Sequence, residues 1–322
     1  MASELFVASS PHIKSADTTQ KIMLRVLIAL IPAGVFAVAV FGLNAAILIA
    51  SCAVACPLFE FLWEKLTHRP VTVGDLSAVV TGVLLAYNLP STLPVWMAII
   101  GCLFAIVVVK QFFGGIGENF VNPAIAGRVF LLISFAGKMT EWLVPQATST
   151  DVQLVSGATP LASMGEHLLG SGADYVTMLL GFKGGSLGEV SALCLLIGGV
   201  YLVVTKVISP LIPLVYIGTV AVLSFAVGYD PLYQVLAGGL MLGAIFMATD
   251  YSTSPVTNKG KAIYAVGCGL ITFLIRFYGN YPEGVSYAIL LMNILAPLID
   301  RYTKTKPFGA LVPEKKKGGA AK

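Results

Sequence analysis

From Ile22 to Phe41 the chain runs 20 residues with a single charge, Arg25. A bilayer core roughly 30 Å thick is crossed by about 20 apolar residues in a helix. Further apolar runs follow at about 44–66, 76–89, 93–113, 122–136, 187–207, 209–227, 231–249, 261–278 and 284–302. Only 11% of the 322 residues are charged, against about 25% in soluble domains, and mean hydropathy is +0.87. Too little polar surface is left to cover a water-soluble globule. The chain is read as an all-α integral membrane protein of about ten transmembrane helices. The third and fifth runs are short, and are expected to be tilted or broken in mid-membrane. The first residues, with Glu4, His12, Lys14 and Asp17, lack the apolar core of a secretory signal, so no cleaved leader is expected.

Orientation follows from Lys and Arg in the short connections. A cytoplasmic N-terminus gathers Lys14, Lys21, Arg25, Lys65, Arg69, Lys110, Lys206, Lys259, Lys261, Arg301, Lys304 and Lys306 on the inside, and leaves Lys138, Lys183 and Arg276 on or near the outside. Both termini are then cytoplasmic, in a prokaryotic cell membrane. Lys315, Lys316 and Lys317 form a basic cluster beside membrane lipid and not a nucleic-acid patch. The expected division is a cytoplasmic segment 1–21, a five-helix repeat 22–136, an extracytoplasmic loop 137–186, a second five-helix repeat 187–302 and a basic tail 303–322. Five spans per repeat is odd, so the second copy is inverted and functional sites fall between the halves. The repeat rests on the similar shapes of 76–94 and 233–255, and on Glu118, Asn122, Pro123 and Arg128 answering to Glu283, Asn293, Pro297 and Arg301.

The longest polar interval holds "SGATP", Ser156 to Pro160. A residue before proline is pushed out of the helical region, and proline is favoured at the first helical position. Residues 161–170 read as a short amphipathic helix, which makes Thr159 its N-cap. The residues alone favour that capping role. The same geometry also favours a phosphate, because a helix N-terminus presents free N–H groups and the positive end of the dipole.

"SGATPLA" (156–162), "SSPHIKSADTTQKIM" (9–23), "GGIGENFVNPAIAGRVFLLISF" (114–135) and "FMATDYSTSPVTNKGKAIY" (246–264) all occur in this chain. Together they resemble the RnfD/NqrB family of membrane subunits in ion-translocating, flavin-dependent electron-transport complexes. The resemblance is greater to RnfD, since the first span begins near residue 22 without the longer extension of NqrB. It implies a urea-transporter-like fold of two inverted halves. It implies FMN attached through its phosphate to Thr159, with Ser156, Gly157 and Ala158 as the supporting motif, and a second, non-covalent riboflavin in some members. It implies partners of the RnfA, RnfB, RnfC, RnfE and RnfG-like kinds, above all the extracytoplasmic flavin subunit. The complex as a whole is a ferredoxin:NAD oxidoreductase moving Na⁺ or H⁺, and this subunit is not active alone. No dinucleotide fingerprint follows a strand, and no cysteine set has iron–sulfur spacing.

Three further candidates come from the spans. Asp250, with Thr249, Ser252, Thr253 and Ser254 beside it, offers oxygen ligands for a hard cation or a proton, and is the ion-coupling candidate. Asn122 and Arg128 are candidates for the second flavin pocket, with Glu118 paired to Arg128. Lys110 and Arg25 lie near cytoplasmic ends and are expected to snorkel. Cys102 and Cys268 occupy matching places in the halves and read as packing residues, because two thiols do not complete a cluster site. An NqrB-like subunit of a Na⁺-translocating NADH:quinone oxidoreductase, a solute channel without redox role, and a structural subunit in which "SGATP" is only a cap stand as alternatives.

Overall fold

The computed structural model describes residues 17–147, 152–157, 161, 175–181, 183–189, 191–279 and 284–304. Helix α1 (Thr19–Phe41) starts where the Thr18 side chain accepts from the Lys21 N–H, and ends at Gly42, whose N–H goes back to Val38 O. With φ at 72°, Gly42 turns the chain directly into α2 (Leu43–Leu66). Along α1, Leu24, Ile28, Ile31 and Val35 form an exposed stripe, while Ala29, Leu30, Ala33 and Ala37 are buried. An outward apolar stripe of helical spacing is stable only where the surroundings are lipid. Among the described residues, four helices are long and apolar enough to cross a membrane: α1, α2, α12 (Asn258–Tyr278) and α13 (Val285–Thr303).

Between them lie shorter apolar helices. These are α3 (Ser77–Tyr87), α4 (Val95–Leu103, continuing as a π-helix over Phe104–Gln111), α5 (Pro123–Ser134), α8 (Ala192–Val204) and α9 (Leu211–Val227). A short α6 (Ala136–Met139) and the six-residue α7 (Tyr175–Leu180) flank the polar interval. Within it, β1 (Leu143–Ala147) and β2 (Val152–Ser156) pair antiparallel, Leu143 opposite Ser156. That hairpin is a small addition to the all-α expectation. Small residues let helices touch backbone to backbone, as membrane packing favours: a Cβ on Gly82 of α3 would lie 2.3 Å from Cys52 O of α2, and one on Gly198 of α8 would lie 2.2 Å from Ala29 O of α1.

The run 231–249, expected as one span, is broken. Helix α10 (Pro231–Leu236) stops, residues 237–239 are not helical, and α11 (Leu240–Leu242) leads into a π-helical turn over Gly243–Met247. Gly238 takes φ 65° there, a left-handed conformation that costs glycine little. The third and fifth runs are the short helices α3 and α5, and neither is broken within its length. The matched stretches are therefore not alike in detail: 76–94 holds an unbroken α3, and 233–255 a broken one. Likewise Asn122 caps the start of α5, whereas Asn293 and Pro297 lie inside α13. Glu283 lies outside the described residues.

Candidate functional site

A helix that stops inside a membrane leaves carbonyls without partners, and each must be satisfied by protein. Two such ends meet here. At the end of α3, the segment 183–189 lends its backbone: Leu187 N–H donates to Leu89 O at 3.0 Å and Gly188 N–H to Tyr87 O at 2.8 Å. At the end of α10, side chains take over that role. Arg276 Nη1 donates to Gln234 O at 2.7 Å, its Nη2 donates to Ala237 O at 3.1 Å, and Lys183 Nζ donates to Leu236 O.

Between these ends sits Arg128 of α5. Its Nη1 donates to Asn88 Oδ1 at 3.0 Å and to Ser286 Oγ at 2.9 Å, and lies 3.9 Å from Glu189 Oε1. Arg128, Lys183, Glu189 and Arg276 are each at least 95% buried. Gly239 brings the break against the carboxylate: a Cβ there would lie 2.5 Å from Glu189 Oε1. Among the described residues neither Glu189 oxygen accepts a hydrogen bond, and Ser186 Oγ, Gln234 Nε2 and Arg276 Nε are also unpartnered and buried.

The described ends of the "SGATP" region are Ser156 and Gly157 before it and Leu161 after it. Ser156 ends β2, and the exposed Gly157 donates its N–H to Trp142 O at 3.2 Å. Ala158, Thr159 and Pro160 lie outside the described residues, as does the expected helix beyond Leu161. Leu161 is buried at the break in the broken helix. A Cβ on Gly238 would meet Leu161 Cδ1 at 2.5 Å and Arg276 Nη2 at 3.1 Å.

At the opposite end of the spans a second polar region surrounds a cavity of about 110 Å³. Its lining includes Ser77, Thr81, Lys110, Asn119, Asn122, Thr249, Asp250 and Ser252. Both π-helical stretches contribute to the wall, through Lys110 and Phe246. Asp250 Oδ2 accepts from Ser252 Oγ at 3.0 Å and Thr253 Oγ1 at 3.1 Å. Asn122 caps α5 through Oδ1, accepting from Ala124 N–H at 3.0 Å, and donates from Nδ2 to Met247 O at 3.3 Å.

Several expectations are corrected. Asn122 lines the cavity, whereas Arg128 is not among its described lining residues and reaches Asn88, Ser286 and Glu189. Glu118 is exposed and does not pair with Arg128. Lys110 does not snorkel. It is buried, 2.5 Å from Glu60 Oε1, and donates to Ser77 Oγ at 2.6 Å. Arg25 does reach the surface, 3.0 Å from Asp17. Cys102 and Cys268 are both buried. Sequence reading missed Glu60, Lys183 and Glu189. A signal existed for the first: opposite charges in two separate apolar runs imply a buried pair.

A family model described as the NQR2, RnfD, RnfE family matches residues 6–309. A protein of Acetobacterium woodii, named as the D component of a Na(+)-translocating ferredoxin:NAD(+) oxidoreductase complex, is 51% identical, the match covering 95% of each chain. One of Clostridium ljungdahlii, named as the D component of a proton-translocating ferredoxin:NAD(+) oxidoreductase complex, is 43% identical over 94% of this chain and 96% of the relative. The D component of an ion-translocating oxidoreductase complex of Stutzerimonas stutzeri is 39% identical over 91% and 93%.

Proposed function

This chain belongs to the NQR2, RnfD, RnfE family, and on that premise we propose that it is the RnfD-type membrane component of an ion-translocating ferredoxin:NAD oxidoreductase complex, carrying FMN esterified to Thr159. Its partners are the other components of that complex, and it acts only within the assembly. The observation that carries the reading is "SGATP" together with matches to such D components over more than nine-tenths of the chain.

The residues present fit such a group. Gly157 and Ala158 add no bulk beside Thr159, and Gly157 is exposed. Buried Leu161 fixes the chain just after the motif, and the unpartnered donors Gln234 Nε2 and Arg276 Nε lie at the same helix break. When bound, a flavin supplies one- or two-electron transfer; position and electrostatics come from the protein. The β-hairpin precedes the motif and the buried Leu161 follows it.

The two-halved architecture belongs to the same proposal. Helix α1 packs against α8 and α5 against α13, and the α2–α4 contact is answered by α9–α12. The Asn293 side-chain amide lies 3.1 Å from the Asn122 backbone nitrogen, where the halves meet. The basic connections support cytoplasmic termini in the cell membrane. In that orientation the cavity faces the cytoplasm and its Asp250 contributes to the ion path. The names of the Acetobacterium and Clostridium relatives differ in the ion, and the hydroxyl, amide and carboxylate oxygens around Asp250 suit either.

The test is in-gel fluorescence of the denatured chain from cells that make the whole complex. Wild-type protein is fluorescent and Thr159→Val is dark; a fluorescent Thr159→Val chain overturns the attachment.

A further inference from the structure

Among the described residues, Lys110 brings the only cationic side chain to the wall of the cavity. Behind it a line of hydrogen bonds leads out of the core without a gap. Lys110 Nζ donates to Ser77 Oγ at 2.6 Å, and Ser77 Oγ donates to Asp75 Oδ1 at 2.6 Å. Ser77 opens α3 and is buried. Asp75 is half-buried in the short turn Val73–Asp75, beside the exposed Thr72 and Gly74. Three side chains therefore join the cavity to a solvent-facing turn, and each donor along the way points outward.

The ammonium is also held in a way that leaves it able to give up a proton. Glu60 Oε1 lies 2.5 Å from Lys110 Nζ, but it also accepts from Gln111 Nε2 at 2.7 Å. Glu60 Oε2 is buried without a partner among the described residues. A buried ion pair is held well only when its remaining oxygens are satisfied too. A counter-charge that is shared on one oxygen and bare on the other binds an ammonium less firmly. Among the described residues, the other charged groups near Lys110 are Asp75, Asp250 on the same cavity wall, and Glu64 of α2, whose Oε1 lies 3.5 Å from Gln111 Nε2. Arg69 reaches Gln111 O at 3.4 Å.

We propose that Lys110, Ser77 and Asp75, with Glu60 as counter-charge, form a proton relay between the cavity and the solvent-facing turn. This deepens the reading of the Asp250 cavity as part of an ion path, and rests on it. Lys110 gives a proton to Ser77 Oγ as Ser77 gives its own to Asp75. Asp75, now a carboxylic acid, releases that proton to water, and the neutral Lys110 takes one from the cavity. One proton enters, one leaves, and the Ser77 hydroxyl turns back to its starting direction. Direct proton transfer asks for heavy atoms about 2.6–3.2 Å apart, and both links meet it. In the proposed orientation the turn is on the cytoplasmic side.

The test is transport by the intact complex in liposomes, driven by reduced ferredoxin and NAD, with internal pH and charge movement followed together. Asp75→Asn keeps an oxygen for both hydrogen bonds from Ser77, the backbone one at 2.8 Å included, but an amide takes up no proton. It is expected to slow the pH change about tenfold or more, at an unchanged unfolding temperature. Ser77→Ala acts in the same way, and combining the two slows the change no further, because they interrupt one path. A role in packing alone predicts the wild-type rate for Asp75→Asn. That rate, a loss that tracks a lowered unfolding temperature, or a wild-type internal pH that stays fixed while charge moves, overturns the relay. If Ser77→Ala does not assemble, Asp75→Asn decides. Charge movement at the wild-type rate in Asp250→Asn overturns the reading of the cavity instead, so the two failures are told apart.

Discussion

The polar regions at the two ends of the spans hold their buried charges differently. At the cavity, Asp250 and Lys110 both line the wall, and Lys110 meets the buried Glu60 of α2. Around the helix break, three cations face one described carboxylate, Glu189. The regions also differ in how they are satisfied. Glu60 Oε1 takes Lys110 at 2.5 Å and Gln111 Nε2 at 2.7 Å, its Oε2 has no partner among the described residues, and Glu64 Oε2 takes the Thr72 N–H at 3.0 Å. Glu189 accepts no hydrogen bond among the described residues. In one chain the two regions sit at opposite ends of the spans, with Asn122, Met247 and Asn88 between them.

The comparison is broken most severely at its tightest pair. Lys110→Met leaves Glu60 buried without its cation, at a cost of about 3–5 kcal/mol. The expected readout is a large drop in thermal unfolding temperature in detergent. Adding Glu60→Gln recovers most of the loss, and a double variant as unstable as the single one argues against the pair. Gly239→Ala is the corresponding change at the other end. Its Cβ would sit 2.5 Å from Glu189 Oε1, and overpacking of this kind costs about 1–3 kcal/mol. Glu189→Ala in the same chain relieves it. The smallest effect is expected at the cavity itself. Asp250→Asn keeps the shape and removes the charge, and slows ion transport by reconstituted complex about tenfold, or about 1.4 kcal/mol. Flavin fluorescence of the denatured chain stays unchanged; transport at the wild-type rate removes Asp250 from the ion path.

Composition announced the membrane, and apolar runs located the helices, because a span must keep polar groups out of lipid for its whole length. The broken helix was not legible. Gly238 and Gly239 stand in a run of small and apolar residues that reads as continuous helix, and only packing against Leu161 and Glu189 makes the interruption necessary. Arg128 was visible as a candidate, but its partner was misassigned to Glu118, close by in sequence. The carboxylate it meets comes from the segment 183–189, a tertiary arrangement that no local pattern encodes. Lys110 was misjudged for the same reason: its position near a helix end suggested escape to water, and its partner lies on α2. Of the "SGATP" motif and its sequel, the described residues are Ser156, Gly157 and Leu161, and Thr159 stands as a proposal carried by the motif.

The π-helical stretch Phe104–Gln111 has a consequence for how the chain tolerates change in length. A π-turn holds one residue more than an α-turn, so each such stretch stores surplus backbone inside a helix. Removing one residue there lets the helix tighten into ordinary α form, whereas the same deletion in α1 rotates everything beyond it. Where such a shortening swings Lys110 around the axis, it also parts it from Glu60, so it is expected to carry a stability cost like that of Lys110→Met. A change of length in this stretch thereby re-aims a charge as well as a backbone.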